Sequence, residues 1–256
     1  MLTEERFSMI LKRVEEKKAV TVQELTELLG SSESTVRRDL TALHEMGKLN
    51  KVHGGATAID TRYNTSEYDV SYKQSQYSEE KKRIGQYAAS LIKKDDFVYI
   101  DAGTTTGALI DYIVEKDAVY VTNGLDHANK LMKKGYKVFI LGGRLRISTE
   151  ALVGEETLNS LKKYNFSIGF FGTNGISITA GYTTPDVDEA MVKAAAFSQC
   201  KDTYILSDDS KFNKVSPVTF GDIDKASIIT TELSDKKYKK CTEILEVDRH
   251  DLYSNL

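Results

Sequence analysis

Residues 20–56 read VTVQELTELLGSSESTVRRDLTALHEMGKLNKVHGGA, and this stretch decides the N-terminal fold. Thr21 stands three residues before Glu24, the spacing of a capping box, with Val20 and Leu25 at the two staple positions. Leu25, Leu28 and Leu29 give this helix an apolar face, and Gly30 supplies the left-handed residue that ends it. A second helix follows at once, capped by Ser31 or Ser32, with Val36, Leu40 and Leu43 at i, i+4 and i+7 turned inward. Two short helices across a tight glycine turn predict a helix-turn-helix. Upstream, Phe7, Ile10, Leu11 and Val14 mark the buried stripe of a helix over 3–18.

The inward stripe fixes what faces out. At 100° per residue, Ser34, Arg38 and Thr41 point away from the core and Thr35 and Arg37 lie on its flanks. Small hydroxyls allow close approach to phosphates, and an arginine can fork onto a guanine edge. After Gly47, KLNKVHGGATAI predicts a strand, a Gly-Gly tip and a return strand, a wing that sets Lys48, Lys51, His53 and Gly54 beside a nucleic-acid backbone. The candidate contacts to double-stranded DNA are therefore Ser32, Ser34, Thr35, Arg37, Arg38, Thr41, Lys48, Lys51, His53 and Gly54. Charge supports this only locally. The chain of 256 residues has a net charge of −3, whereas residues 34–53 carry Arg37, Arg38, Lys48 and Lys51 against Asp39 and Glu45.

Composition bounds the rest. Cys200 and Cys241 are isolated, and no Cys/His spacing suggests a metal. No apolar run is long enough to cross a bilayer, and the start of the chain lacks the features of a signal peptide. These features predict a cytoplasmic protein with no membrane partner. The length suits two domains: 1–57, a linker over 58–77, and 78–256. In the linker, Tyr63, Tyr68, Tyr72 and Tyr77 are expected to dock rather than stack on bases. From a capped helix at Ser78 onward, short apolar strands alternate with helices. That pattern predicts an α/β domain with a mostly parallel sheet covered on both faces, ending in a helix over DKKYKKCTEIL.

In such sheets ligands bind outside the carboxyl ends of the strands. Strand FVYI runs into Asp101-Ala102-Gly103-Thr104-Thr105-Thr106 directly before a helix. Free N–H groups at the helix start and three hydroxyls predict an anion cradle. Neither a dinucleotide fingerprint nor a P-loop is present, which favours a compact phosphate. Thr122-Asn123-Gly124, Gly142-Gly143-Arg144 and Gly172-Thr173-Asn174-Gly175 end other strands. The candidate effector residues are Asp101, Gly103, Thr104, Thr105, Thr106, Asn123, Gly143, Arg144, Asn174, Asp188, Glu189 and Lys211. Asp186, Lys193 and Asp209 are expected to be solvated surface.

The string STVRRDLTALHEMGKLNKVHGGA resembles the DeoR family of bacterial sugar-metabolism regulators. Position 51 is usually Arg in that family, and Lys51 keeps the charge without the bidentate fork. The resemblance extends through DAGTTT, VTNG, GTNGI and TTPDVDEA, which look most like the fructose-operon repressors of the family. It implies a winged helix-turn-helix followed by a sensor domain similar in fold to ribose-5-phosphate isomerase. It further implies phosphate binding at Gly103–Thr106 and sugar-facing roles for Asp101, Asn123, Asn174, Asp188, Glu189 and Lys211. The implied effector is a phosphorylated sugar such as fructose 1-phosphate. Asp209 replaces the usual Ser of a DSSKF motif. Repression of a sugar operon by a homodimer or homotetramer, without a cofactor, is the leading expectation. A sugar-phosphate isomerase is the alternative, and a capped helix-turn-helix has no place in one.

Overall fold

The computed structural model describes residues 3–17, 19–46, 48–58, 73–74 and 76–247. The chain divides into two compact units, Met1–Thr61 and Arg62–Leu256. Most of the expected linker, including Tyr63, Tyr68 and Tyr72, lies outside the described residues, as does Gly47. Tyr77 is exposed, with a left-handed backbone.

The first unit comprises α1 (Thr3–Lys17), β1 (Ala19–Thr21), α2 (Val22–Leu29), α3 (Glu33–Glu45), β2 (Asn50–Val52) and β3 (Gly55–Thr57). The Thr21 hydroxyl accepts from Glu24 N at 3.1 Å, and the Glu24 carboxylate accepts from Thr21 N at 3.2 Å, which completes the capping box. Gly30 ends α2 at φ 59, and Ser32 caps α3. Val36, Leu40 and Leu43 are buried with Ile10, Val14 and Leu25 in a single core. The antiparallel sheet has the order β1-β3-β2. β1 was not expected, because three residues with one buried side chain leave no periodicity to read. The wing tip is His53-Gly54 rather than Gly-Gly: Gly55 already pairs with Val52. Gly54 takes the left-handed turn at φ 82. A Cβ on Gly55 would lie 2.1 Å from the Val20 carbonyl, so only glycine lets β3 lie against β1 there.

The second unit begins with α4 (Ser78–Ser90), β4 (Phe97–Ile100), α5 (Thr104–Tyr112), β5 (Val119–Thr122), α6 (Leu125–Lys133) and β6 (Lys137–Ile140). It continues through a hairpin of β7 (Arg144–Arg146) and β8 (Ala151–Val153), then α7 (Glu155–Leu161) and β9 (Phe166–Gly172). The rest is β10 (Gly175–Ser177), β11 (Gly181–Thr184), α8 (Val187–Phe197), β12 (Cys200–Leu206), β13 (Val218–Gly221), β14 (Ser227–Thr230) and β15 (Ile244–Glu246). The main sheet has seven strands in the order β15-β14-β12-β9-β4-β5-β6, and every pairing in it is parallel. Side chains alternate across it. Val98 and Ile100 face a core with Ile84, Leu109 and Leu131 of α4–α6, and Tyr99 faces the other core with Leu161, Val192 and Ala196 of α7 and α8. A smaller antiparallel sheet, β10-β11-β13, adjoins.

Two expectations for this unit are corrected. Nothing caps α4 through a side chain, since Tyr77 precedes it in a left-handed conformation. The expected C-terminal helix is a 3-10 turn, Lys236–Lys240, followed by edge strand β15. In that turn only Tyr238 is buried, too little to hold a helix against the pairing of Ile244 and Leu245 with β14.

Candidate functional site

In the first unit, the outward face of α3 carries the residues expected there. Arg37 and Arg38 are both exposed. Arg37 pairs with Glu33 at 3.2 Å, and Arg38 Nε donates to the Ser34 carbonyl at 3.3 Å. Ser34 and Thr35 cluster their hydroxyls around the Ser32 hydroxyl at 3.0 Å each. Lys51 Nζ donates to Thr41 Oγ1 at 2.7 Å and ties the wing to α3. Lys48, His53 and Gly54 are exposed on or beside the wing. A pair missed by the sequence reading anchors the helix: Arg6 of α1 holds the buried Asp39 through Nε at 2.7 Å and Nη2 at 3.0 Å. Asp39 sits next to Arg38, so this fork sets the rotation of the helix that presents both arginines.

In the second unit, strand order reverses between β4 and β9, where α/β sheets form their binding crevice. Asp101 follows β4 there and is 1% exposed. Its carboxylate accepts from Gly172 N at 3.1 Å and from the Lys193 ammonium. Lys193 also donates to the Gly172 carbonyl at 3.1 Å and lies 5.4 Å from the centre of the Phe220 ring. Lys193 is thus buried, not solvated as expected, because α8 carries it into the space at the ends of β4 and β9. Burial, countered by Lys193, raises the Asp101 carboxyl above the usual carboxylate range.

Several expected effector residues are likewise committed to the scaffold. Asn123 accepts from Ala102 N at 2.9 Å and from the Tyr99 hydroxyl at 3.2 Å. The buried Thr106 hydroxyl contacts the Asp101 carbonyl at 2.6 Å and His127 Nε2 at 3.2 Å, which turns it away from any cradle. Asn174 accepts from Thr184. A Cβ on Gly143 would meet Thr157 Oγ1 at 2.0 Å, so that glycine is required by packing. Arg144 pairs with Asp188 at 2.6 Å, while Arg146 pairs with Asp186, the residue that caps α8. Glu189 accepts from the Thr149 hydroxyl.

A cleft of about 250 Å³ opens at the start of α5. Of the expected residues, Gly103 and Thr104 line it. Gly103 precedes α5 and offers no side-chain cap, and the first N–H groups of a helix have no intrahelical acceptor. Thr105 is half-buried beside them. Its charged and polar lining includes Lys81 and Lys82 of α4, Asp111 of α5, Asp126, His127 and Lys130 of α6, and Thr149 and Glu150. The two lysines of α4 sit in the run EEKKR, which reads as a solvated helix face; only the fold reveals that one of them is buried. Lys211 does not line the cleft but acts on Lys81 through charge. Among the described residues, no cluster of His, Cys, Asp and Glu could hold a metal ion, and no helix is long and apolar enough to cross a membrane.

Comparison with known proteins assigns both units. Residues 6–62 match the DeoR-like helix-turn-helix domain, and residues 76–233 match the DeoR C terminal sensor domain. The chain is 42% identical, over 95% of its length and 96% of the other's, to an uncharacterized HTH-type transcriptional regulator, FruR, of Bacillus subtilis (strain 168). It is 34% identical, over 95% of its length and 98% of the other's, to a lactose phosphotransferase system repressor of Staphylococcus epidermidis. Ribose 5-phosphate isomerase from Plasmodium falciparum resembles 52% of the chain, and 52% of that enzyme is covered, at 18% identity and a TM-score of 0.40. With both domain types in chain order and regulators as its relatives, the chain belongs to the DeoR family, as a DNA-binding transcriptional regulator with a C-terminal sensor domain rather than an enzyme.

Proposed function

We propose that this regulator represses a sugar-catabolism operon and that a phosphorylated sugar, fructose 1-phosphate, releases it from its operator. The observation that carries the reading is the uncapped start of α5, opening through Gly103 and Thr104 into a cleft whose lining also holds Lys81, Lys82 and Lys130 beside Asp111, Asp126 and Glu150. Backbone N–H groups and the helix dipole favour a dianion there by about 0.3–1 kcal/mol. The volume is small beside the roughly 300–1,000 Å³ of drug-sized ligand sites, which suits one sugar phosphate rather than a dinucleotide. The similarity to a regulator named FruR and to a phosphotransferase-system repressor supports sugar control. No metal or other cofactor enters this reading, and the protein acts in the cytoplasm, where its DNA is.

The effector prediction is tested by thermal and chemical denaturation. Fructose 1-phosphate at ten times its dissociation constant should stabilise the protein by about 1.4 kcal/mol. A tenfold loss of operator affinity requires a coupling of about the same size. Thr104→Glu, which places a carboxylate where the phosphate would sit, should abolish both responses and leave operator binding intact. Equal stabilisation by unphosphorylated fructose would sink the reading.

For DNA, Arg38 of α3 is assigned a base edge or phosphate. Arg38→Ala should cost roughly 1–3 kcal/mol of operator affinity. One such unit spans few base pairs, so the protein is expected to act as a homodimer or homotetramer on half-sites about 34 Å or a multiple apart. Titration of duplexes with one or two half-sites, at several salt concentrations, reads both points. Unchanged affinity removes Arg38 from the interface, and equal affinity for single and paired half-sites argues against the oligomer.

A further inference from the structure

In the first unit the hold of α3 on the wing strand β2 is polar. β2 is the edge strand of the sheet β1-β3-β2, and its side chains Asn50, Lys51 and Val52 are all exposed. Its neighbour β3 is anchored, because Ala56, opposite Lys51, is buried in the core of the unit. On its other side β2 meets α3. Lys51 Nζ donates to Thr41 Oγ1 at 2.7 Å, and Lys51 N lies 3.4 Å from His44 Nδ1. Thr41 and His44 are one turn apart on the helix, so Lys51 grips the same face twice, by side chain and by backbone.

Thr41 and Lys51 both stand among the residues expected to touch DNA, and the chemistry of their contact points elsewhere. A threonine hydroxyl has one proton and two lone pairs. Thr41 gives the proton to the Arg37 carbonyl at 2.8 Å, and a lone pair takes the Lys51 ammonium. A phosphate oxygen only accepts, so this hydroxyl has nothing left to offer it. Lys51 in turn reaches back to α3. It joins the two elements that carry the exposed candidate contacts: Arg37 and Arg38 lie one turn before Thr41, and His53 and Gly54 of the wing tip follow shortly after Lys51. Two elements held at a fixed spacing engage DNA together, whereas a loose wing has to be ordered at the moment of binding. Base reading needs that register; backbone contacts common to any duplex do not.

We propose that Thr41 and Lys51 form a clasp between α3 and the wing and act as positioning residues in operator recognition, setting the distance between the α3 arginines and the wing tip instead of touching DNA themselves. The inference concerns the DNA-binding unit alone and is independent of the effector. Opening the clasp leaves the unit folded, since Val36, Leu40, Leu43, Leu49 and Ala56 still form its core. What changes is the share of molecules whose wing stands where the operator needs it. A wing in place about one-fifth of the time weakens specific binding about fivefold. Removing either partner opens the same clasp, so removing both costs little more than removing one.

The test is fluorescence anisotropy on the full chain at several salt concentrations. Its probes are the duplex that the wild type enriches from a random-sequence pool and, for non-specific binding, poly(dI-dC). Thr41→Val and Lys51→Met should each bind the selected duplex about fivefold more weakly, with the double variant no more than about twofold below either single. Thr41→Ser and Lys51→Arg, which rebuild the hydrogen bond, should stay within about twofold of wild type. Thr41→Val should bind poly(dI-dC) within about twofold of wild type, and the salt slope of Lys51→Met should match the wild type to within about half a unit. A slope lower by about 0.9 for each half-site would show that Lys51 neutralises a phosphate, and overturns the proposal. So would losses that multiply in the double variant, Thr41→Ser as weak as Thr41→Val, or full affinity in Thr41→Val. If urea denaturation shows Thr41→Val to be unfolded, the slope of Lys51→Met and the recovery in Lys51→Arg decide by the same criteria.

Discussion

Replacing Lys193 by Met is expected to destabilise the C-terminal unit by roughly 3–5 kcal/mol at neutral pH, the usual cost of leaving one member of a buried ion pair alone. Lys193 and Asp101 have side-chain exposures of 6% and 1%. Without the ammonium, the Asp101 carboxylate keeps, among the described residues, one donor, Gly172 N, at the point where the strand order reverses between β4 and β9. The sign of the pH dependence distinguishes this from a simple packing loss. Burial already raises the Asp101 carboxyl in the native protein against the pull of Lys193, and removing Lys193 raises it further. A group with a raised folded value contributes stability below its unfolded value and loses it as pH rises through the folded value. The deficit of the variant should therefore be largest at pH 7 and shrink toward pH 5 in urea denaturation. The Asp101→Asn/Lys193→Met double variant should recover part of it, since a neutral amide needs no counterion. A loss below about 1 kcal/mol at pH 7 would mean that the pair contributes little.

What was legible in the sequence is what neighbours along the chain determine. The capping box of Thr21 and Glu24, the left-handed Gly30, the stripe of Val36, Leu40 and Leu43 and the parallel strands all follow from spacings of a few residues. So did the loop Asp101–Thr106, because a strand that runs into Gly-Thr-Thr-Thr must open a helix. The partners that decide which polar groups are buried are distant in sequence. Lys193 lies 92 residues from Asp101, and Arg6 lies 33 from Asp39. In VKAAA and EEKKR nothing separates Lys193 or Lys81 from solvated lysines; helix packing does. The same holds for hydroxyls: Thr104 lines the cleft and Thr106 is buried, although the helix pattern treats them alike. Short elements escaped for another reason. The hairpins β7–β8 and β10–β11 have strands of three or four residues, which carry almost no alternation.

His127 should make the protein acid-sensitive through the wall of the cleft itself. Its ring is held between two glycines, where a Cβ on Gly107 or Gly124 would come within 3.2 or 3.0 Å of it. Nε2 lies 3.2 Å from the Thr106 hydroxyl, which in turn contacts the Asp101 carbonyl at 2.6 Å. A hydroxyl has one proton; with that proton on the carbonyl, the network places the imidazole proton of the neutral ring on Nε2. Burial, reinforced by the positive charge of Lys130, lowers its value to about 4 from 6.5. The unfolded chain therefore binds more protons than the folded one between these values, and stability falls as pH drops from 6.5 toward 4. Between pH 7 and pH 4.5 this group alone should remove about 2.5 kcal/mol. Urea denaturation of the wild type and of His127→Gln at the two pH values measures it. The variant starts lower, having lost packing between the glycines, but its loss on acidification should be smaller by about that amount. Because the ring supports Thr106 under the first turn of α5, the proposed phosphosugar binding should weaken over the same window. Equal acid losses in the two proteins, or a His127 titration near its ordinary value by NMR, would show that the ring is charged and solvated in solution and that the cleft does not depend on its neutrality.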